Sequence, residues 1–446
     1  MRKLFVLPLL IMLFSSTLPA QTGWFQQNSG TTQGFDCVYF LNAETGFTGG
    51  GFKIYKTTNS GTTWNQTILP DTTTLTAIRF LNNTTGYACG GRTVNQYYCL
   101  QHLFKTTNTG ETWIKVYQST SSFTYFDYFQ DVFPIDTLLY LTSGGYTDMG
   151  STGGMYLSQN GGVSFANIIV SYGEFVNKMS FVNPQTGWVT TRYSTDVPYS
   201  KSKIFRTTNG GQNWMMQFRD STTNTYLSSN INVQFLNQNT GYGLYRRIYS
   251  TDIARFLKTS NSGATWDSTS LPYVISKAMF FTNASTGWIC GGSYPDSILI
   301  IRTTNSGSNW HAQKKGTYSL NAVYFVNNLT GWAVGANGYI YKTITGGVTS
   351  IVPVSTEVPQ AYSLEQNYPN PFNNTSNFKF EILNSGDVKL VVYDITGRLI
   401  QTLVNEKLQP GGYEVTFDGS GLNSGVYFYK LTTDGFTETK KMLLIK

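Results

Sequence analysis

Thr57-Thr58-Asn59-Ser60-Gly61-Thr62-Thr63-Trp64 is the stretch from which the fold is read, because the chain repeats it. It returns as Thr106-Thr-Asn108-Thr-Gly110-Glu-Thr112-Trp113. It returns again over 207–214 (Asn209, Gly211, Trp214), 259–266 (Asn261, Gly263, Trp266) and 303–310 (Asn305, Gly307, Trp310). A variant, Ser158-Gln-Asn160-Gly-Gly162-Val-Ser164-Phe165, fills the gap in the series, and a decayed seventh copy runs from Thr343 to Ser350. The aromatic ends at 64, 113, 165, 214, 266 and 310 lie 49, 52, 49, 52 and 44 residues apart. Spacing this regular marks an array of like supersecondary units.

A second motif keeps step ahead of each box: Asn42-Ala-Glu-Thr45-Gly46-Phe47, then 82–87, 183–188, 237–242, 283–288 and 327–332. Only the third repeat departs, where Asp136 to Tyr140 lacks Thr-Gly. Each Asn-x-x-Thr-Gly-aromatic stands between two short apolar runs, so it reads as a hairpin turn whose glycine takes a positive φ. Every repeat then holds four strands. In the second copy the expected strands are 76–81, 86–91, 103–107 and 112–116. Four-stranded units repeated about a ring describe a β-propeller. The seventh box lacks its Trp, whereas Thr22-Gly23-Trp24 supplies the missing Thr-x-Trp. Trp24 is therefore expected to open the outer strand of the last blade and close the ring.

Composition agrees. Of 446 residues, 12% are charged and 15% aromatic, with 44 Gly and 30 Tyr. That is neither a disordered nor a helical chain, and it points to an all-β fold. Two histidines, His102 and His311, rule out a three-histidine metal site, and no Cys-x-x-Cys occurs among four cysteines. No cofactor is implied. The net charge of +7 is dispersed without a Lys/Arg run, which argues against nucleic acid.

Residues 1–20 read as a signal peptide: Arg2 and Lys3, an apolar run from Leu4 to Phe14, and small residues up to Ala20. No later stretch is apolar enough to span a membrane, so the mature chain is expected to carry no transmembrane segment. Residues 21–352 form the repeat domain and 353–361 a Pro-spaced linker. Residues 362–446 change character: Tyr368-Pro-Asn-Pro-Phe372-Asn373, Val388 to Asp394, Gly397-Arg398, Gly411 to Phe417, Gly425 to Lys430 and a Lys440-Lys-Met-Leu-Leu-Ile-Lys446 end. Alternation within these runs predicts a small β-sandwich.

The box, Ser/Thr-x-Asp/Asn-x-Gly-x-x-Trp, resembles the Asp box or bacterial neuraminidase repeat. Its pairing with Asn-x-x-Thr-Gly-Trp is similar to the seven-bladed propellers of photosystem II assembly factors. This chain uses Asn or Thr where that box has Asp, and Asn can still cap the turn through its side-chain oxygen. The named Asn, Gly and Trp residues are accordingly read as structural. The motifs of 362–446 resemble the type A C-terminal sorting domain of the type IX secretion system of Bacteroidetes and their relatives. That resemblance implies recognition of residues 362–446 by the secretion machinery, and a secreted or surface-bound product.

A ligand is expected on the face opposite the boxes, where the second-to-third-strand loops vary in length (92–102, 143–155, 191–203, 245–256). Candidate contacts there are Tyr98, Tyr146, Arg192, Tyr193, Tyr199, Arg246, Arg247 and Tyr294, since Tyr and Arg favour recognition. Cys89 and Cys99 flank one such loop and are read as a possible disulfide. Glycoside hydrolysis of sialidase-like or xyloglucanase-like type would need paired carboxylates. The repeat domain has three glutamates, Glu44, Glu111 and Glu174, and of these only Glu174, with Asp36 and Asp131, is a candidate. The sequence therefore favours a non-catalytic binding or scaffold propeller for an extracellular glycan or a surface protein.

Overall fold

The computed structural model describes residues 23–446 apart from 96–97, 123–124, 148–149, 172–173, 194–201, 221–226, 249–252, 272–276, 293–296, 348–350, 356, 374 and 420–421. The expected signal peptide lies outside the described residues. Contacts divide the chain into Gly23–Val348 and a unit that includes Thr349–Lys446.

The first unit is seven antiparallel four-stranded sheets in chain order, the blades of a propeller. Their inner strands are Cys37–Phe40, Thr74–Phe80, Tyr125–Ile135, Glu174–Phe181, Leu227–Phe235, Ala278–Phe281 and Leu320–Phe325. The seventh sheet takes its outer strand, Phe25–Gln27, from the start of the domain, in register with Ile340–Thr343. Trp24 then does what the box Trp does elsewhere. Its indole stands edge-on to Phe325 at 5.6 Å, as Trp113 does to Phe80, Trp214 to Phe181, Trp266 to Phe235 and Trp310 to Phe281. The closure is further tied by Gln27, whose amide donates to the Ser60 carbonyl of the first box, and by Trp332 stacked on Phe40 at 3.5 Å.

The box is a capped turn. In the first copy the Asn59 side-chain oxygen accepts from the Thr63 N–H, and the Thr57 hydroxyl oxygen accepts from the Gly61 N–H. Asn rather than Asp has a use here, because the Asn59 amide also donates to the Thr63 hydroxyl. The same bond recurs from Asn108, Asn160 and Asn261. Ser60 and Gly61 both take positive φ, 61° and 86°, and each later box repeats such a pair. In the box, then, glycine serves the backbone.

The turn-motif glycine is there for another reason. None of Gly46, Gly86, Gly187, Gly241, Gly287 and Gly331 has the positive φ the sequence suggested. Each lies under the ring of the Phe six residues earlier, where a Cβ would fall 2.2–2.7 Å from ring carbons. The turn itself is closed by Asn, as in Asn237, whose oxygen accepts from the N–H groups of Asn239 and Thr240. The third repeat manages with a two-residue turn, Asp136-Thr137, in which Asp136 takes the positive φ.

The aromatic at that position, Tyr140 in the third repeat, fastens four of the blades to the box of the next. Tyr87 donates to the Gly161 carbonyl, Tyr140 to Gly210, Trp188 to Ser262 and Trp288 to Gly346, in each case a carbonyl of the following box. A cation one residue before the box lies over the same ring, as with Lys105 over Tyr87 and Arg302 over Trp288. Burial of these rings between sheets, with a polar handle reaching the neighbour, makes blade contacts both apolar and directional.

Two expectations change on the face opposite the boxes. The stretches 92–102 and 143–155 are largely strand, because Gly86–Asn95 pairs with Tyr98–Thr106 and Leu138–Thr147 with Gly150–Ser158 out to the hairpin tips. The Thr, Val, Tyr and Leu content of 92–102 favours that extension. Cys89 and Cys99 consequently do not bridge a loop. Cys89 faces Leu103 and Cys99 faces Thr93, four positions along the same ladder, about 13 Å at 3.3 Å per residue, well beyond disulfide reach.

The second unit is two antiparallel four-stranded sheets around one core that includes Phe378, Phe380, Val392, Val415, Phe417, Tyr429 and Leu444. Ile351–Ser355, expected between the propeller and the linker, is an edge strand of this unit, paired with Gly411–Asp418. The Asp394-Ile-Thr-Gly-Arg398 motif forms a self-contained turn. Asp394 accepts from the Thr396 hydroxyl and N–H and from the Arg398 N–H, and the Arg398 guanidinium pairs with it. Led by the Thr396 hydroxyl, these bonds bring the carboxyl down to about 2.

Candidate functional site

Closure of seven sheets leaves a central channel lined by the inner strands of all seven blades, with a cavity of about 230 Å³. Three rows of side chains face it, because each inner strand presents successive residues to the axis at successive depths. The deepest row is Tyr39, Arg79, Phe133, Ser180, Gln234, Phe280 and Tyr324, each paired across the hairpin with its blade's turn-motif aromatic or the Tyr140 equivalent. Above it stand Cys37, Ala77, Asp131, Lys178, Asn232, Ala278 and Ala322, and the mouth holds Asp36, Thr76, Lys277 and Asn321.

The rows are not symmetric. On the side of blades six, seven and one, Phe280, Tyr324 and Tyr39 form a continuous aromatic floor, with centroids 4.9 Å and 5.0 Å apart. Directly over it lie Ala278, Ala322 and Cys37, with Lys277, Asn321 and Asp36 at the mouth above them. On the opposite side are Arg79, Asp131, Lys178 and Asn232. Burial holds the Tyr324 hydroxyl well above its ordinary range and pushes the Cys290 thiol, on the strand behind Ala278, up to about 12. Both stay protonated at neutral pH.

The polar groups also sew the ring together. Arg79 pairs with buried Asp131 at 3.3 Å and lies over Phe133, while the same carboxylate oxygen accepts from the Met179 N–H. Gln234 accepts from the Phe281 N–H and donates to the Phe281 carbonyl. Asn232 donates to the Lys277 carbonyl, and Asn321 donates both to the Phe35 carbonyl and to Asp36. Lys178 donates to the Gln130 carbonyl, so its charge meets a neutral acceptor. Desolvation raises the pKa of Asp36, an effect that Lys277 partly offsets.

Each of the expected carboxylates has a partner. Asp131 is taken by Arg79 and Met179, and Asp36 sits at the mouth against Asn321. Glu174, expected at the channel mouth, is buried within its own blade, paired with Lys203 and accepting from the Thr191 hydroxyl at 2.5 Å. Among the described residues no group of three or more His, Cys, Asp and Glu is placed to hold a metal.

The expected recognition residues lie at the hairpin ends of the same face. Tyr98 is exposed at one tip; Tyr146, Arg192, Tyr193, Arg246 and Arg247 fall on the last residues of their strands. Tyr199 and Tyr294 lie outside the described residues. The box Asn and Gly residues form the capped turns and the box Trp residues pack against the Phe rings described above. What the sequence reading passed over is the channel itself. The signal was present, since the residue before each recurrent Phe40, Phe80, Phe181, Phe235, Phe281 and Phe325 ranges over Tyr, Arg, Ser, Gln and Phe while the Phe itself holds.

Residues 366–446 match the family described as the secretion system C-terminal sorting domain. The tail thereby indicates export to the cell surface or extracellular space through the type IX machinery. The propeller is similar in fold to YCF48 bound to a D1 peptide, at 14% identity and a TM-score of 0.52, over 73% of this chain and 98% of that one. It is also similar to a polysaccharide lyase of family PL25, an ulvan lyase, at 9% identity and a TM-score of 0.50, over 72% and 96%. Among curated proteins none matches. No helix among the described residues is long and apolar enough to cross a membrane.

Proposed function

We propose that the protein is a secreted or surface-bound, non-catalytic propeller that binds or scaffolds, with an extracellular glycan or a surface protein docking at the hairpin face and reaching into the channel. The observation that carries this reading is the state of the acids. Glycoside hydrolysis needs two carboxyl groups roughly 5–10 Å apart, one as acid and one as base or nucleophile. Here Asp131 and Glu174 are each occupied by a cation and a hydrogen-bond donor, which leaves Asp36 without a comparable partner. The channel instead offers an aromatic floor, amide oxygens and cations, which suit recognition. Propellers of similar fold are named for a bound peptide and for a bound glycan, so the frame accommodates either class. The sorting tail supplies the address.

The reading is tested by passing the full chain over immobilised polysaccharides and, in parallel, cross-linking it on intact cells, while assaying for released sugar. Retention or a reproducible cross-link without product supports it. Catalytic release of oligosaccharide overturns it.

A further inference from the structure

Resting on the reading of the channel as a binding site, we infer that it takes one pyranose ring bearing a carboxylate, the terminal uronate of an acidic glycan. Three features of the lumen converge on that class.

The first is charge. Arg79 and Asp131 neutralise one another, which leaves Lys178, Lys277 and Asp36 and a surplus of one positive charge. Lys178 spends one N–H on the Gln130 carbonyl and keeps two donors. A charged donor whose hydrogen bond goes to a neutral carbonyl, and which feels the Asp36 charge only through space, gains from an anion in a partly desolvated channel, because charge-assisted bonds are about twice as strong as neutral ones.

The second is shape. The wall opposite Lys178 carries Lys277, Asn321 and Asp36 at the mouth and, below them, Ala278, Ala322 and Cys37 above Phe280, Tyr324 and Tyr39, so the room left by the small residues ends on aromatic rings. The C–H face of a sugar packs on such a surface while its substituents point away from it. At about 230 Å³ the cavity lies below the roughly 300–1,000 Å³ of pockets for drug-sized ligands. It accommodates one ring rather than a length of polymer.

The third is hydrogen-bond sense. Asn232 and Asn321 direct their NH2 groups to backbone carbonyls, so each retains a carbonyl oxygen for a ligand. Acceptors of this kind match hydroxyl donors. A hexuronate presents carboxylate, hydroxyls and a C–H face on one ring. A peptide C-terminus offers the carboxylate without the neighbouring hydroxyls.

The test is equilibrium titration of the full chain with methyl β-D-glucuronide and methyl β-D-glucoside, a pair differing at one carbon, and with an acetylated dipeptide bearing a free carboxylate. The glucuronide should bind at least tenfold tighter than the other two. Lys178→Met should abolish that preference and Lys178→Arg should retain it, with both variants melting near the parent. Equal binding of the two glycosides, tighter binding of the dipeptide, or a preference surviving in Lys178→Met overturns the inference while leaving the binding propeller intact. Failure of all three probes to bind, alongside retention on a neutral polysaccharide in the panel above, also overturns it and spares the broader reading. Turnover of a polysaccharide in that panel removes the broader reading itself.

Discussion

Gly241→Ala tests why the turn motif keeps its glycine. A Cβ there would stand 2.4 Å from Cε1 and 2.5 Å from Cζ of Phe235, more than 1 Å inside the ~3.5–4.0 Å of a comfortable carbon contact. The ring cannot step aside. It is stacked on Trp188 at 3.5 Å and 6°, and Trp266 meets it edge-on at 5.8 Å. Overpacking of a fixed core costs about 1–3 kcal/mol, which corresponds to a melting temperature lower by roughly 2–6 °C in a domain of a few hundred residues. Because φ at Gly241 is not in the left-handed region, the cost is steric, and trimming the ring should recover part of it. Thermal denaturation of Gly241→Ala, Phe235→Leu and the double variant forms the cycle, and coupling of roughly 0.5–3 kcal/mol is expected between residues in contact. A silent Gly241→Ala, or strictly additive losses, would show that the Phe235 ring does not require glycine at 241.

Other consequences follow from the same contacts. Trp24→Ala removes the ring that completes the seventh blade and should cost roughly 3–5 kcal/mol, the range for large aromatics in cores, read as a melting shift comparable to that of Trp266→Ala; a change under 1 kcal/mol would mean that the first strand does not close the ring. Burial lowers the pKa of His102, which bonds Thr73 and is surrounded by Asp71, Arg92, Lys115 and Gln118. Its neutral form is the one folded into the sheet, so the stability it contributes is present above about 6.5 and is lost as pH falls below that value. Melting curves from pH 8 to 5 should steepen in the parent relative to His102→Gln, and identical profiles would contradict the assignment. Cys37, Cys89 and Cys290 are buried with raised pKa values, so a thiol reagent should leave them unmodified in native protein and label them after denaturation, and reduction should not alter the mass. Asn261→Asp keeps the oxygen that accepts from the Thr265 N–H and loses only the donation to its hydroxyl; it should cost about 1 kcal/mol or less, below Asn261→Ala in the same denaturation assay.

The ring was legible because its signals are local. Asn42, Asn82 and their counterparts announce turns through bonds that span three residues, and the box from Thr57 to Trp64 caps itself within four. Even the closing strand could be read, since Trp24 supplies what the seventh box lacks. The channel could not be read that way. Tyr39 and Tyr324, or Arg79 and Asp131, meet only because seven sheets converge on an axis, and no spacing rule links them. The same local bias misled on two points: the stretch between Cys89 and Cys99 looked like a loop and continues as paired strand, and Glu174 looked free at a strand start yet meets Lys203 across the blade. The turn glycine was misassigned because its reason, a ring six residues earlier, is packing rather than backbone.

On this reading the channel holds a ligand without doing chemistry on it. Ala322→Trp tests it most directly, since Ala322 lines the lumen between the aromatic floor and the mouth and an indole there fills the space without removing a polar group. Retention of the parent and the variant should be measured on whichever polysaccharide or partner the panel identifies, with released product assayed in the same experiment. Retention without product is expected for the parent, and loss of retention for Ala322→Trp while its melting temperature stays close to the parent's. Undiminished retention with the channel plugged, or product released by the parent, would contradict it.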